Sequence, residues 1–269
     1  KVKEMKDQVR TFQPYLLSLS DTAVEGVSYN VSHSVKTTFL ALALTSTLKL
    51  SLHRQIELGM AALLHRIGML RLPPDLYMVN RRLSPQEKQA LFTYPVLSFR
   101  ILKDANFPMS VALGVLEHQE KIDGSGYPRR LMGDKISIYG KIIAVASSYA
   151  AAVAARPYKQ GMDGHSGLMD LIKVSGGSYD QTILKALVYT LSIYPIGTYL
   201  ELTDLSKGVV VKTDPERPRN PIIKLLIDPE GHPFAEKPLF QPSESNPSLQ
   251  IKRTLSRQEQ DEIEKLYKN

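Results

Sequence analysis

The stretch His118-Gln-Glu-Lys-Ile-Asp-Gly-Ser-Gly-Tyr-Pro128 brings an imidazole, carboxylates and a phenol into one short segment. It begins at the end of Val111-Ala-Leu-Gly-Val-Leu116, whose apolar spacing suits a buried helix. It then runs into Asp123-Gly-Ser-Gly126, which cannot continue one. A helix that delivers a histidine and a carboxylate and then stops at a glycine-rich loop places side chains at the mouth of a pocket. The same residues also fit a packed core histidine followed by an ordinary helix stop, and both readings are open. A second histidine, His65, lies beside Arg66 in a helix that reads as apolar nearly all round; an imidazole buried there needs a partner. Arg156 and Lys159 suggest other chemistry. Arginine grips phosphate through two parallel hydrogen bonds and a nearby lysine adds charge, although both residues also suit a solvated surface. His53, His165 and His232 stand in polar or turn-like surroundings and are assigned no chemistry.

The elements that must position these groups are legible in the periodicity. Lys1 to Leu19 reads as an amphipathic helix or linker, with Phe12, Leu16 and Leu19 at helical spacing. Val31, Val35, Phe39 and Leu42 give a helix that carries His33. Ile56, Met60, Leu63, Leu64 and Ile67 form one stripe, and Leu58, Ala61 and Ala62 cover the opposite side, the pattern of a central buried helix. Pro73-Pro74 end it. Ser84-Pro-Gln-Glu87 is a capping box that starts another helix. Tyr94-Pro95 is expected to break that helix, and Val96 to Leu102 to begin the next. Ile136 to Val153 reads as a long buried helix, and Asp180 as the cap of a helix over Ile183 to Leu191. From Tyr194 the character changes: nine prolines fall between residues 195 and 247, and short β-favouring runs appear at 198–202, 209–211 and 222–227. Ser256-Arg-Gln-Glu259 caps a terminal helix.

Composition narrows the function classes. The chain has 269 residues, 43% hydrophobic and 23% charged, enough for one large core with an appendage. The absence of cysteine excludes disulfides, thiolate metal sites and a cysteine nucleophile. Apolar runs such as Phe39 to Leu44 are too short to span a bilayer, so no membrane insertion is expected of this segment. The chain opens on Lys1 rather than methionine, as a fragment of a longer protein would. The net charge of +7 is spread along the chain rather than gathered in one run, which argues against a specific nucleic-acid groove.

Asp123-Gly-Ser-Gly-Tyr-Pro128 after a histidine-bearing helix resembles the signature of the HD-GYP family, bacterial metal-dependent phosphodiesterases of the HD superfamily that act on cyclic di-GMP. Ala61-Ala-Leu-Leu-His-Arg-Ile-Gly68 resembles the family's histidine-aspartate helix. Lys141-Ile-Ile-Ala-Val-Ala-Ser-Ser-Tyr149, Arg156-Pro-Tyr-Lys159, Gly176-Gly-Ser-Tyr-Asp180 and Tyr194-Pro-Ile-Gly-Thr198 resemble later landmarks in the expected order, and the likeness covers about residues 25–230. The resemblance places His33, His65 and His118 at three of the family's histidine positions, and Arg156 and Lys159 where the substrate's phosphates are contacted. Other ligand positions depart from the pattern. Arg66 stands for the metal-bridging aspartate, Met69 for a lysine, Tyr94 and Gln119 for histidines, Ser147 for an aspartate and Tyr29 for a glutamate. Like unit charges about 4 Å apart repel by roughly 1 kcal/mol in water and about 4 kcal/mol at an effective dielectric of 20. A divalent cation doubles that, and arginine cannot escape by deprotonating.

The resemblance implies a mainly α fold: an HD-type helical domain over residues 25–194, preceded by a helix or linker at 1–24. A small antiparallel β extension with a final helix follows over 195–269. It also implies a cytoplasmic signalling role. The leading expectation is a catalytically degenerate module that binds rather than hydrolyses, and no cofactor is expected. Arg66, Tyr127, Arg156 and Lys159 would bind a cyclic dinucleotide such as cyclic di-GMP, and Gly126, Tyr127 and Pro128 would dock a GGDEF-type domain. The alternatives are a phosphohydrolase with one residual divalent metal on His33, His65 and His118, which is chemically sound where the rings converge, and a purely structural element that forms a homodimer.

Overall fold

A computed structural model of the chain describes residues 28–78, 81–154, 161–174, 177–214, 216–242, 246 and 248–267. The helix expected over Lys1 to Leu19 lies outside them. The fold is mainly helical with a small C-terminal antiparallel sheet. Two compact units are distinguished. One comprises the chain up to Met162 together with Met169–Leu187, the other Asp163–Leu168 together with the chain from Val188 onward.

The first unit is built on α1 (Tyr29–Thr47), α2 (Leu52–Leu64), α3 (Pro85–Leu91), α4 (Tyr94–Asp104), α5 (Met109–Glu117) and α6 (Ile138–Val153). Helix α1 packs on α2 and α6, and α5 packs on α2, α4 and α6. Polar residues in the core of α1 close on their own helix: Thr38 Oγ1 donates to the Ser34 carbonyl at 2.7 Å and Thr45 Oγ1 to that of Leu42 at 2.6 Å. Glu57, buried on α2, accepts from Tyr139 of α6 at 2.8 Å and from Ser110 of α5 at 2.9 Å, which joins the three helices. Burial pushes the Glu57 pKa up, but the hydrogen bonds and nearby cations outweigh it and the net shift is downward.

The capping box at Ser84 forms as read, although its helix is only seven residues long. The break foreseen at Tyr94-Pro95 falls earlier. Thr93 precedes α4, and Pro95 sits in its first turn, where its missing N–H costs nothing. Among the described residues the first strand begins at Tyr199, and the isolated bridge between Asp123 and Met132 is the one β pairing before it.

Helices α7 (Gly164–Val174) and α8 (Gln181–Leu191) follow. The first corrects the turn-like reading of His165, which is helical and donates from Nδ1 to the Ile193 carbonyl at 2.7 Å. Asp180 caps α8 by accepting from Thr182 N at 3.0 Å and Ile183 N at 3.3 Å. In the second unit the strands are β1 (Tyr199–Leu202), β2 (Lys207–Lys212), β3 (Ile222–Ile227), β4 (Leu239–Phe240) and β5 (Ile251–Thr254), ordered β4-β3-β2-β1-β5. One cluster gathers Leu200, Leu202, Val210 and Ile223, and a second joins Leu226, Ile227 and Leu255 to Ile263 of the terminal helix α9 (Arg257–Leu266). That helix starts at the capping box of Ser256 and Glu259. No helix among the described residues is long and apolar enough to cross a membrane.

The approach of α2's end to α4 depends on Gly68. A 3₁₀ turn, Ile67–Arg71, packs on α4; Gly68 N donates to Ser98 Oγ at 2.8 Å, and Ser98 Oγ to the His65 carbonyl at 3.3 Å. A Cβ on Gly68 would collide with the Tyr94 carbonyl and the Ser98 amide, both backbone atoms that cannot swing aside. Gly68→Ala is therefore expected to lower the unfolding free energy by about 1–3 kcal/mol. A urea titration should show this as a lower midpoint at unchanged slope.

Candidate functional site

Three helices bring the histidines together. His33 lies inside α1, His65 is the C-cap of α2 and His118 the C-cap of α5. Their rings follow one another, His33 to His65 at 5.6 Å between centroids and His65 to His118 at 4.9 Å. The tautomers of two of them follow from their partners. Nδ1 of His65 lies 2.6 Å from the Ala62 carbonyl, and Nδ1 of His118 lies 2.6 Å from that of Val115. A carbonyl only accepts, so both Nδ1 atoms carry the proton and both Nε2 atoms present a lone pair. His65 and His118 are each 1% exposed. Burial, and then the neighbouring imidazoles and Arg66, hold the His65 pKa well below its ordinary value. Burial takes that of His118 to about 3.

Several of the side chains that depart from the family pattern, Tyr29, Arg66, Met69, Tyr94 and Gln119, contact these rings or one another. Tyr94, at the first position of α4, donates its hydroxyl to His118 Nε2 at 2.6 Å. Gln119 Nε2 donates to the same hydroxyl at 2.9 Å. Arg66 lies with its guanidinium carbon 5.7 Å from the Tyr29 ring centre and 5.8 Å from that of Tyr94, and it donates to Met69 Sδ at 3.5 Å. Tyr29 stacks on His33 at 5.5 Å. Ser147 is buried on α6. His65 Nε2 and Arg66 Nε are among the described side-chain atoms that are shut away from solvent without a hydrogen-bond partner.

The Gly126-Tyr127-Pro128 loop closes beside this cluster and is held by buried carboxylates. Glu120 accepts from Arg129 N at 2.7 Å and Leu131 N at 3.0 Å, while Glu117 accepts from Ser137 N at 2.6 Å and pairs with the Arg129 guanidinium. Gly126 is needed for close approach, because a Cβ there would meet Lys121 N, Glu120 Cα and the Gln119 carbonyl. Asp123 accepts from Ser125 and from Ser178 Oγ at 2.7 Å, hydrogen bonds that hold its pKa down to about 2. Tyr127 is half-buried and its hydroxyl faces Tyr94; burial first, then Tyr94, pushes its pKa up. The ring of Tyr127 stacks on Phe92, centroids 4.3 Å apart and planes 17° apart, and Phe92 is 43% exposed.

The structure thus brings together His33, His65, Arg66, His118 and Tyr127, with Gly126 and Pro128 in the adjoining loop. Arg156 and Lys159 lie outside the described residues. Sequence reasoning missed Phe92, which carries no motif, and the clamping roles of Glu117 and Glu120. Acidic residues flanking a histidine at a helix end were the available signal for the latter.

The donor set does not fit the metals that an HD-type site implies. Among the described residues no group of three or more histidine, aspartate or glutamate side chains is arranged to hold an ion. The lone pair of His118 is taken by Tyr94, and a guanidinium rather than a carboxylate follows His65.

Comparison with known proteins agrees with this architecture. The HD domain family model matches residues 18–183. A cyclic di-GMP phosphodiesterase of Borreliella burgdorferi is 33% identical over 200 residues, 74% of this chain and 53% of that protein. Another, from Pseudomonas aeruginosa, is 30% identical over 200 residues, 74% of this chain and 48% of that protein. The solved structure of an HDG"Y"P protein from Bdellovibrio bacteriovorus aligns with a TM-score of 0.52 at 20% identity over 70% of this chain and 63% of that one, a likeness of fold. The chain belongs to the HD domain family. Within it, the chain is a member of the HD-GYP family. It spans about half the length of the curated relatives it matches.

The buried imidazole of His118 makes a pH prediction. It stays neutral in the folded protein, whereas in the unfolded chain it takes a proton near its ordinary value of 6.5. Its contribution is therefore intact above pH 6.5 and is lost progressively as the pH falls toward about 3. Between pH 7 and pH 5 the wild type should lose about 2 kcal/mol more stability than His118→Gln, measured by urea unfolding at each pH.

Proposed function

We propose that this chain is a catalytically degenerate HD-GYP signalling module that binds a cyclic dinucleotide or a partner protein rather than hydrolysing its ligand. The supporting observation is the interlocked set around His118. Tyr94 caps the imidazole lone pair, Gln119 holds Tyr94, and Arg66 lies between Tyr94 and Tyr29. Metal-assisted hydrolysis of a phosphodiester needs cations that neutralise phosphate charge and lower the pKa of a bound water to near 7. A guanidinium supplies charge but has no coordination site for water. His65 Nε2 is a candidate general base, but burial and the adjacent positive charge weaken it.

The relatives named as cyclic di-GMP phosphodiesterases support a cyclic dinucleotide as the ligand class. Incubation of the purified protein with cyclic di-GMP and either manganese or ferrous iron, followed by chromatography of the nucleotides, should give no linear product above the protein-free blank. Arg66→Asp alone should give none either, because Tyr94 still caps His118 and Ser147 supplies no carboxylate. Wild-type turnover that disappears in His65→Ala would overturn the proposal and establish the enzyme.

A further inference from the structure

Among the described residues Arg66 is a cation without an anion. Among the described residues its guanidinium pairs with no carboxylate, and its one hydrogen bond goes to the thioether of Met69, a weak acceptor. Its Nε–H is shielded from solvent and unpaired. The flanking tyrosine rings, 5.7 and 5.8 Å away, attract the charge without neutralising it. Arg66 as a residue is half-buried, and its guanidinium keeps donors that a further acceptor could take. The cation is also the first link of a continuous aromatic wall. Arg66 touches Tyr94, the Tyr94 hydroxyl faces that of Tyr127, and Tyr127 stacks on Phe92, which is open to solvent. Phe92 is the solvent-open end of this chain of contacts, and buried Tyr94 its inner link.

We infer that Arg66 is a metal-independent receptor for the phosphodiester of a nucleotide whose base stacks on Phe92. The inference rests on the non-hydrolysing reading above and selects, between its two ligand classes, the nucleotide. Protein-bound guanidinium takes over the charge neutralisation that bound metals would supply, so affinity does not depend on added divalent ions. Stacking on an aromatic side chain tolerates any base, which places the site's selectivity on nucleotides over free phosphate.

The test is calorimetry with cyclic di-GMP on the full chain at low salt, with EDTA or with manganese. Affinity should be the same in the two buffers and should weaken as salt rises. Arg66→Met should weaken binding by at least about tenfold. Phe92→Leu, a surface change that leaves the fold intact even where Arg66→Met does not, should also weaken it by about tenfold. The same Phe92 variant should leave competition by inorganic phosphate unchanged. No binding in EDTA, binding that requires manganese, or variants that bind like the wild type would overturn the inference. Absent binding together with absent turnover would sink this inference alone and favour a protein ligand, whereas metal-dependent turnover would sink the non-hydrolysing reading itself.

Discussion

The hydrogen bond from Tyr94 to His118 Nε2 is the interaction on which the centre of the helical unit depends. It joins the start of α4 to the end of α5. His118 is fixed from behind by the Val115 carbonyl, which sets the tautomer, and Tyr94 is fixed from the side by Gln119. A neutral hydrogen bond of this kind contributes about 0.5–1.5 kcal/mol net, but a buried imidazole left without a donor costs more than that. The desolvation that depresses the pKa of His118 is the same cost seen from the titration side.

Around that bond, charge and shape are managed separately. Shape is set by close approach: Gly68 lets the turn after α2 meet the backbone of α4, and Gly126 lets the loop after α5 fold back on residues 119–121. Charge is divided between two shells. Buried carboxylates Glu117 and Glu120 are engaged by backbone amides and Arg129, and so hold the loop. The inner shell carries Arg66 and neutral imidazoles, so its local field is positive. A protein interior tolerates such a field where aromatic faces solvate it or where an anion arrives.

Much of the fold was legible because it rests on local rules. The capping boxes at Ser84 and Ser256 and the cap at Asp180 are short-range hydrogen-bond patterns, and each starts its helix as read. The strands at 199–202, 207–212 and 222–227 overlap the β-favouring runs. What escaped depends on distant partners. Strand β4 is two residues long and exists by pairing with β3; β5 pairs with β1 across some fifty residues of sequence. Helix α7 is masked in the sequence by Gly164 and Gly167, weak helix formers whose cost tertiary context can override. In the site, resemblance to the HD-GYP motifs located the histidines and Arg66, but the pairing of Tyr94 with His118 lies 24 residues apart and has no local signature.

A departure from a ligand pattern can mean decay or replacement, and the contacts discriminate between them. Decay predicts side chains that fit the vacated space individually, with small or apolar residues preferred because they need no partners. Of the six departing positions, Met69 and Ser147 are apolar or small, whereas the other four hold two tyrosines, a glutamine and an arginine, polar groups that each demand a partner when buried. Tyr94 finds one in His118 and Gln119, Tyr29 stacks on His33, and Arg66 contacts Tyr29, Tyr94 and Met69. Polar residues at adjacent positions satisfy one another only when their geometries agree, so the set behaves as one unit rather than as independent losses. One exception is the guanidinium, whose strongest donors meet no strong acceptor among the described residues. Together with the unpartnered Nε2 of His65, it is where the hydrogen-bonding demand of the cluster goes unmet among the described residues.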